Sequence, residues 1–276
     1  MNNENLNSEW RKVAAAIYRK PVDAKILGSV EIDVTDLERF ISDKRKQGVK
    51  ITPTHIFTLA VARGLKDEVP ELNCYINRGR LVKRDHIDAM ISVIIRDEQM
   101  SSVKIPDADT LTLAEMTDIL NEGVKAARSG EERKVMRSKG LISRIPWPFR
   151  VWLLRLAKTI SIDWGIPIPS LGLSKSSFGS FVVSNIGSLG LDTGYPALFP
   201  LSNVSFVMIL GGILKKPVVI NDKIVARRVI TLSMALDHRV VDAQQGGKLF
   251  RHIKKVVRNP EILDEKPVFR EKEIKK

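Results

Sequence analysis

Apolar and polar residues alternate along KILGSVEIDVT (25–35), and the β-branched content of that run predicts a strand. The period then changes. Thr35 stands ahead of DLERFISDKRKQG, with Glu38 three residues on and Gly48 at the far end, a pattern that predicts a helix opened by a capping box. A second helix is predicted over TPTHIFTLAVARGLKDE, entered through Thr52-Pro53, apolar at 56, 57, 59, 60, 61 and 65, and stopped by Pro70. Upstream, WRKVAAAIYRK (10–20) has helical character and ends before Pro21.

Farther on, YINRGRLVKRDHIDAMISVIIRDEQMSSVKIPDAD predicts a hairpin around Asn77-Arg78-Gly79 followed by longer strands. TLAEMTDILNEGVKAARSGE has the apolar stripe of an amphipathic helix. Strand patterns return in SFGSFVVSNIG, VSFVMILGGIL and KPVVINDKIVARRVITLSMAL, and DAQQGGKLFRHIKKVVRNPEIL predicts a last helix before a charged tail. Strands and helices interleave without a regular βαβ beat, and no internal repeat is visible. The expectation is a single α/β domain over 1–276, a two-layer sandwich of mixed sheet with helices rather than a doubly wound nucleotide fold.

Composition narrows the function classes. With 276 residues, 43% of them hydrophobic, the chain can bury a large core. No apolar run reaches the ~18–20 residues of a membrane span, and the polar N-terminus, MNNENLNSEWRKV, is unlike a signal peptide. A lone cysteine, Cys74, excludes an internal disulfide framework and a multi-cysteine zinc site, so a cytoplasmic protein without a metal is expected. The net charge of +13 favours polyanionic partners. Zinc-finger spacing and RNP-type aromatic motifs are both missing, so nucleic acid is not among them.

Much of the basic excess lies in 125–158 and in the tail after Lys248. Within 134–175, the stretch SRIPWPFRVWLLRLAKTISIDWGIPIPSLG places Phe149, Trp152, Leu153, Leu156, Ala157 and Ile160 on one helical face, with Arg150, Arg155 and Lys158 on the other. Such a helix can dock on its own domain, roof an acyl pocket, or make peripheral contact with an anionic membrane through 147–160.

The densest cluster of chemistry is SMALDHRVVDAQQGGKLF (233–250), where His238 is followed four residues later by Asp242. In order along the chain, RKVAAAI, VEIDVTDLERF, ITPTHIFTLAVARGLKDEVPELNCYI, TLTLAEM, GSFVVSNIGSLG, VSFVMILGGILKKPVV and ALDHRVVDAQQGGKLF together resemble the catalytic domain of the dihydrolipoamide acyltransferases of 2-oxo-acid dehydrogenase complexes. The resemblance spans about residues 11–265 and implies a fold like that of chloramphenicol acetyltransferase.

It further implies transfer of an acyl group between coenzyme A and a thiol of lipoyl type, or another acceptor. His238 falls on the family's general-base position, and a neutral imidazole suits that task near neutral pH. Ser184 falls on the position whose hydroxyl stabilises the oxyanion, whereas Ser188 lies off it. The resemblance implies a supporting role for Asp242, paired with an arginine that corresponds to Arg39, while the histidine is held by its own backbone. His55, His86 and His252 lack a motif and are expected to be structural.

Two departures accompany the match. Alanine, Ala243, stands where the family usually has glycine after the motif aspartate. Only about ten residues precede the match, so a free-standing acyltransferase is expected, with no covalently bound lipoyl group. VDAKILG does not provide a lipoyl-lysine site, because Lys25 opens a strand. The resemblance implies a homotrimer or an assembly of trimers with its site between subunits, served by a separate lipoyl or acyl carrier protein. The alternative is a non-catalytic scaffold or assembly protein.

Overall fold

The computed structural model describes residues 24–94, 100–129, 146–169, 174, 176–199 and 202–268. The helix expected over 10–20 and most of the tail lie outside them. Among the described residues, eight strands and five α-helices follow the order β1 (Lys25–Asp33), α1 (Thr35–Lys46), α2 (Pro53–Asp67), β2 (Cys74–Asn77), β3 (Arg80–Lys83), β4 (Ala89–Ile94), β5 (Met100–Ile105), α3 (Leu113–Ser129), α4 (Trp147–Lys158), β6 (Phe181–Asn185), β7 (Phe206–Ile220), β8 (Lys223–Asp237) and α5 (Ala243–Arg258).

Six strands form one mixed sheet in the order β1-β8-β7-β6-β4-β5, with β6 parallel to both β4 and β7 and the other pairs antiparallel. Among the described residues β2 and β3 form a separate two-stranded sheet. Their turn is legible in the sequence because Arg78 and Gly79 both take positive φ, 49° and 73°, as a two-residue hairpin turn demands. Asn221 and Asp222 turn β7 into β8 in the same way.

Strand periodicity gives the sheet two unlike faces. The register aligns Met234, Met208, Val183, Ile91 and Val103 across it, all of them buried in the main core. Helix α2 fills that core, with every residue from His55 to Leu65 buried, and α5 packs on it through Leu249, Phe250 and Ile253. One residue along each strand, the opposite face carries Ser29, Ser233, Ile209, Ser184, Ser92 and Ser102 in a single transverse row. Five of those six side chains are hydroxyls, whereas two residues along, the same face carries Val182, Val207 and Ala235 in a second, smaller hydrophobic cluster.

One local expectation needs correction. Thr35 is not a cap for Glu38: its amide and hydroxyl both donate to Asp33 Oδ1, at 3.0 and 2.7 Å, and Glu38 instead accepts from the Arg228 guanidinium at 2.8 Å. A capping box does exist one helix later, where the Thr52 amide donates to Nδ1 of His55 at 3.1 Å. On α4, Ala157 turns inward, while Phe149, Trp152 and Leu156 remain exposed.

Candidate active site

Strand β8 delivers His238 to the protein surface. Asp237 ends the strand, with its amide bonded to the carbonyl of Ser205 at 2.8 Å, and its carbonyl accepts from the amides of Val240 and Val241 at 2.9 and 3.1 Å. The turn so closed lifts His238 out of the sheet. Beneath it the Arg239 guanidinium grips both oxygens of Asp237, at 2.9 and 2.6 Å, and neither side chain is more than about a tenth exposed. A buried carboxylate is tolerable only when paired in this way. The backbone of His238 is fixed as well, its amide donating to the Ala24 carbonyl at 2.6 Å.

The imidazole itself is about a third exposed, and its Nδ1 lies 3.1 Å from the carbonyl oxygen of Val241 and 3.2 Å from Asp242 Oδ1. Both neighbours can only accept a hydrogen bond. Nδ1 must therefore carry the hydrogen, and in the neutral ring the basic lone pair is left on Nε2. Asp242 is the N-cap of α5 and forms a capping box with Gln245, whose Oε1 accepts from the Asp242 amide at 3.0 Å. One carboxylate thus serves the helix end and the imidazole together. Ala243 is the first helical residue, without positive φ, so its Cβ meets no backbone penalty.

The expected Arg39 partner is elsewhere. Arg39 sits on the exposed face of α1 and bonds Asp36 at 3.0 Å, and Asp242 contacts His238 instead. The other histidines have structural settings. His55 belongs to the α2 cap, and burial pushes its imidazole down to about 4. His86 pairs with Asp107 at 2.7 Å on the surface, which raises its pKa. His252 is pressed against Gly64, and burial lowers its pKa.

Ser184 lies near the end of β6, half-buried on the hydroxyl-lined face. The next residue, Asn185, ends the strand: its amide nitrogen donates to Thr54 Oγ1 at 3.1 Å, and its carbonyl accepts from the Ser188 hydroxyl at 2.7 Å. The loop that follows is clamped to β7, where the register slips between Leu210 and Ile213. Ile186 donates to the Leu210 carbonyl at 2.9 Å and Gly212 to the Leu191 carbonyl at 3.0 Å. Here glycine is obligatory, because a Cβ on Gly187 would lie 2.6 Å from the carbonyl oxygen of Gly211, and one on Gly211 would overlap that of Asp192. Both sites permit close approach of backbone to backbone.

Within one chain Ser184 and His238 do not meet. Ser184 aligns with Ile209, and Ile209 with Ser233. Asp237, just before the histidine, is therefore offset from Ser184 by roughly 14 Å along the strands and roughly 10 Å across them. The fold brings together His238 and Asp242, and leaves Ser184 on the other side of the sheet's midline.

Sequence reasoning missed the Asp237–Arg239 brace and the hydroxyl row. Ser29, Ser92, Ser102 and Ser233 share their row with Ser184 only through strand register, which a single sequence does not reveal. At the edge of that row Ser29 Oγ lies 3.1 Å from the Tyr195 hydroxyl, while the Ser233 hydroxyl is buried and has no partner among the described residues.

With this geometry in view, the chain can be set beside known proteins. The mitochondrial dihydrolipoyllysine-residue succinyltransferase component of 2-oxoglutarate dehydrogenase complex 1 from Arabidopsis thaliana is 26% identical over 238 residues, which is 84% of this chain and 42% of that protein. The chain thus spans less than half the length of this relative. A probable dihydrolipoamide acetyltransferase from Listeria monocytogenes has a similar structure, with a TM-score of 0.64 at 21% identity over 94% of this chain and 92% of that one. The dihydrolipoamide acetyltransferase of Azotobacter vinelandii superposes at 0.62 with 16% identity, covering 87% and 83%. Chloramphenicol acetyltransferase gives 0.50 at 14% identity over 93% and 99%, so the expected fold is the observed one. The profile of the family described as 2-oxoacid dehydrogenases acyltransferase (catalytic domain) matches residues 4–139 and 170–263, and the chain belongs to that family.

Proposed function

We propose that the protein transfers an acyl group between coenzyme A and a thiol of dihydrolipoyl type, with His238 as general base and Ser184 as oxyanion donor, in a site shared by two subunits. The observation that carries this reading is the fixed tautomer of His238, with Nδ1 bound to the Val241 carbonyl and Asp242 and Nε2 left basic. The acceptor thiol gives its proton to Nε2 as sulfur attacks the thioester carbonyl. A tetrahedral oxyanion forms, and the Ser184 hydroxyl donates to it. Collapse breaks the bond to the departing sulfur, which takes the proton back from the imidazolium.

Two further points support it. The work on the Azotobacter protein concerns the catalytic role of a serine, a histidine and an asparagine four residues after that histidine, the spacing of His238 and Asp242 here. The separation of Ser184 from His238 within one chain is relieved if the serine of one subunit faces the histidine of another. A homotrimer, or an assembly of trimers, provides such pairs, and a separate lipoyl or acyl carrier protein would bring the acceptor.

Purified protein offered acetyl-, propionyl- and longer acyl-CoA with free dihydrolipoamide should release CoA. His238→Ala should lose ~10²–10⁴ in rate, the usual worth of a general base. No CoA release from any donor rejects the reading in favour of a non-catalytic scaffold, and a variant that keeps more than about a tenth of the rate rejects His238 as the base.

A further inference from the structure

The segment that the family profile passes over, between residues 139 and 170, is the part of the chain its acyltransferase fold does not require. Its described part, residues 146–169, is nevertheless firmly seated. The Arg78 amide donates to the carbonyl of Asp163 at 2.8 Å, Gly165 lies beside the Asn77 side chain, and Lys158 bonds the Asp163 carboxylate at 2.6 Å. These contacts fix α4 and the turn after it against the β2–β3 hairpin, with Ala157 inward.

The same seating half-buries Leu153 and Ile160 and leaves Phe149, Trp152 and Leu156 facing out. Phe149 and Trp152 are 67% and 64% exposed and Leu156 is 38% exposed, all within one turn-to-turn strip of α4. Trp164 and Ile166, just beyond, are about half exposed. Burying these rings in protein would remove them from water, yet the described residues do not do so. Charge identifies a partner. Within α4 the sequence holds Arg150, Arg155 and Lys158 and no aspartate or glutamate, and Arg155 is exposed. Aromatic side chains at the surface within a basic stretch match the boundary between anionic headgroups and acyl chains.

We propose that α4 docks on an anionic lipid surface, inserting Phe149, Trp152 and Leu156 while the net positive charge of the helix favours the headgroups. This reading is independent of the catalytic one, since vesicle binding is measured without turnover.

The test compares vesicles of phosphatidylcholine containing phosphatidylglycerol with vesicles of phosphatidylcholine alone. The intact protein should sediment with the former only, more weakly as salt is raised, with a blue shift in tryptophan emission. The variant carrying both Phe149→Ser and Trp152→Ser keeps the net charge and should bind about tenfold more weakly at unchanged Tm and unchanged oligomer size. Wild-type protein that ignores the anionic vesicles overturns the proposal. So does a double variant that binds as tightly as wild type, because charge alone would then suffice. A change in oligomer size in that variant would instead make the strip an interface between copies of the chain.

Discussion

Arg239 clasps Asp237 through two parallel hydrogen bonds directly beneath the residue they flank, His238. The pair therefore sets the height and direction of the turn that presents the imidazole. Arg239→Met should strand a buried carboxylate and cost about 3–5 kcal/mol, read as a lower Tm. Replacing both partners, Asp237→Leu with Arg239→Met, should recover much of that stability, since two apolar groups leave no unpaired charge. Activity should stay low in the double variant, because its turn no longer has a rigid floor. Full recovery of both would reduce the brace to a stability element.

Ser184→Ala is expected to lower kcat by roughly 10²-fold with little change in KM, the signature of an interaction made only in the transition state. A raised KM with unchanged kcat would make Ser184 a binding residue.

A shared site has a consequence that single variants do not test. His238→Ala and Ser184→Ala proteins, dissociated, mixed and reassembled, should form some interfaces with an intact histidine facing an intact serine. Activity above the sum of the two parents is the expected outcome. Demonstrated subunit exchange with no gain would place each site inside one chain.

Asp242 does two tasks, and two substitutions separate them. Asp242→Asn keeps an oxygen that can cap α5 and accept from Nδ1, so stability should hold and activity fall only modestly. Asp242→Ala removes both and should cost about 1 kcal/mol of stability through the lost cap, with a larger loss of kcat. Equal kcat in the two variants would show that the carboxylate does not serve the imidazole.

The cap of α2 makes folding sensitive to acid. His55 is buried neutral, with a pKa of about 4 against 6.5 for an ordinary histidine. Between those values the unfolded chain binds a proton that the folded chain refuses, so stability present above pH 6.5 is lost as pH falls towards 4. The shift corresponds to about 3 kcal/mol. His55→Gln retains a capping-box residue without a titrating ring, and unfolding titrations should show a flatter acid limb, with half-buried His252 and the Arg227-paired carboxylate of Asp33 among the groups that contribute the rest.

What the sequence revealed was local. The hairpin at Asn77-Arg78-Gly79 and the start of α2 at Thr52-Pro53 are decided by φ angles and caps belonging to neighbouring residues. The choice between partners for Glu38 is not, since Arg228 arrives from a strand some 190 positions away. Arg39 shows the converse: a charge three residues back on its own helix, Asp36, takes it before any distant carboxylate can. The spacing of His238 and Asp242 resembles two residues on one helix face, yet the histidine stands in a turn and only the aspartate touches the helix. That distinction needs the turn's backbone, which Arg239 and Asp237 dictate from within the core.

Gly211 leaves no room for one added carbon between β7 and the carbonyl of Asp192. The loop leaving Ser184 and the bulged strand beside it thus behave like a key and its ward, cut to each other and to nothing else. A designer who transplants the Ser184 loop into a related acyltransferase must carry the paired glycines along with it, and one who lengthens the loop must first redraw the strand.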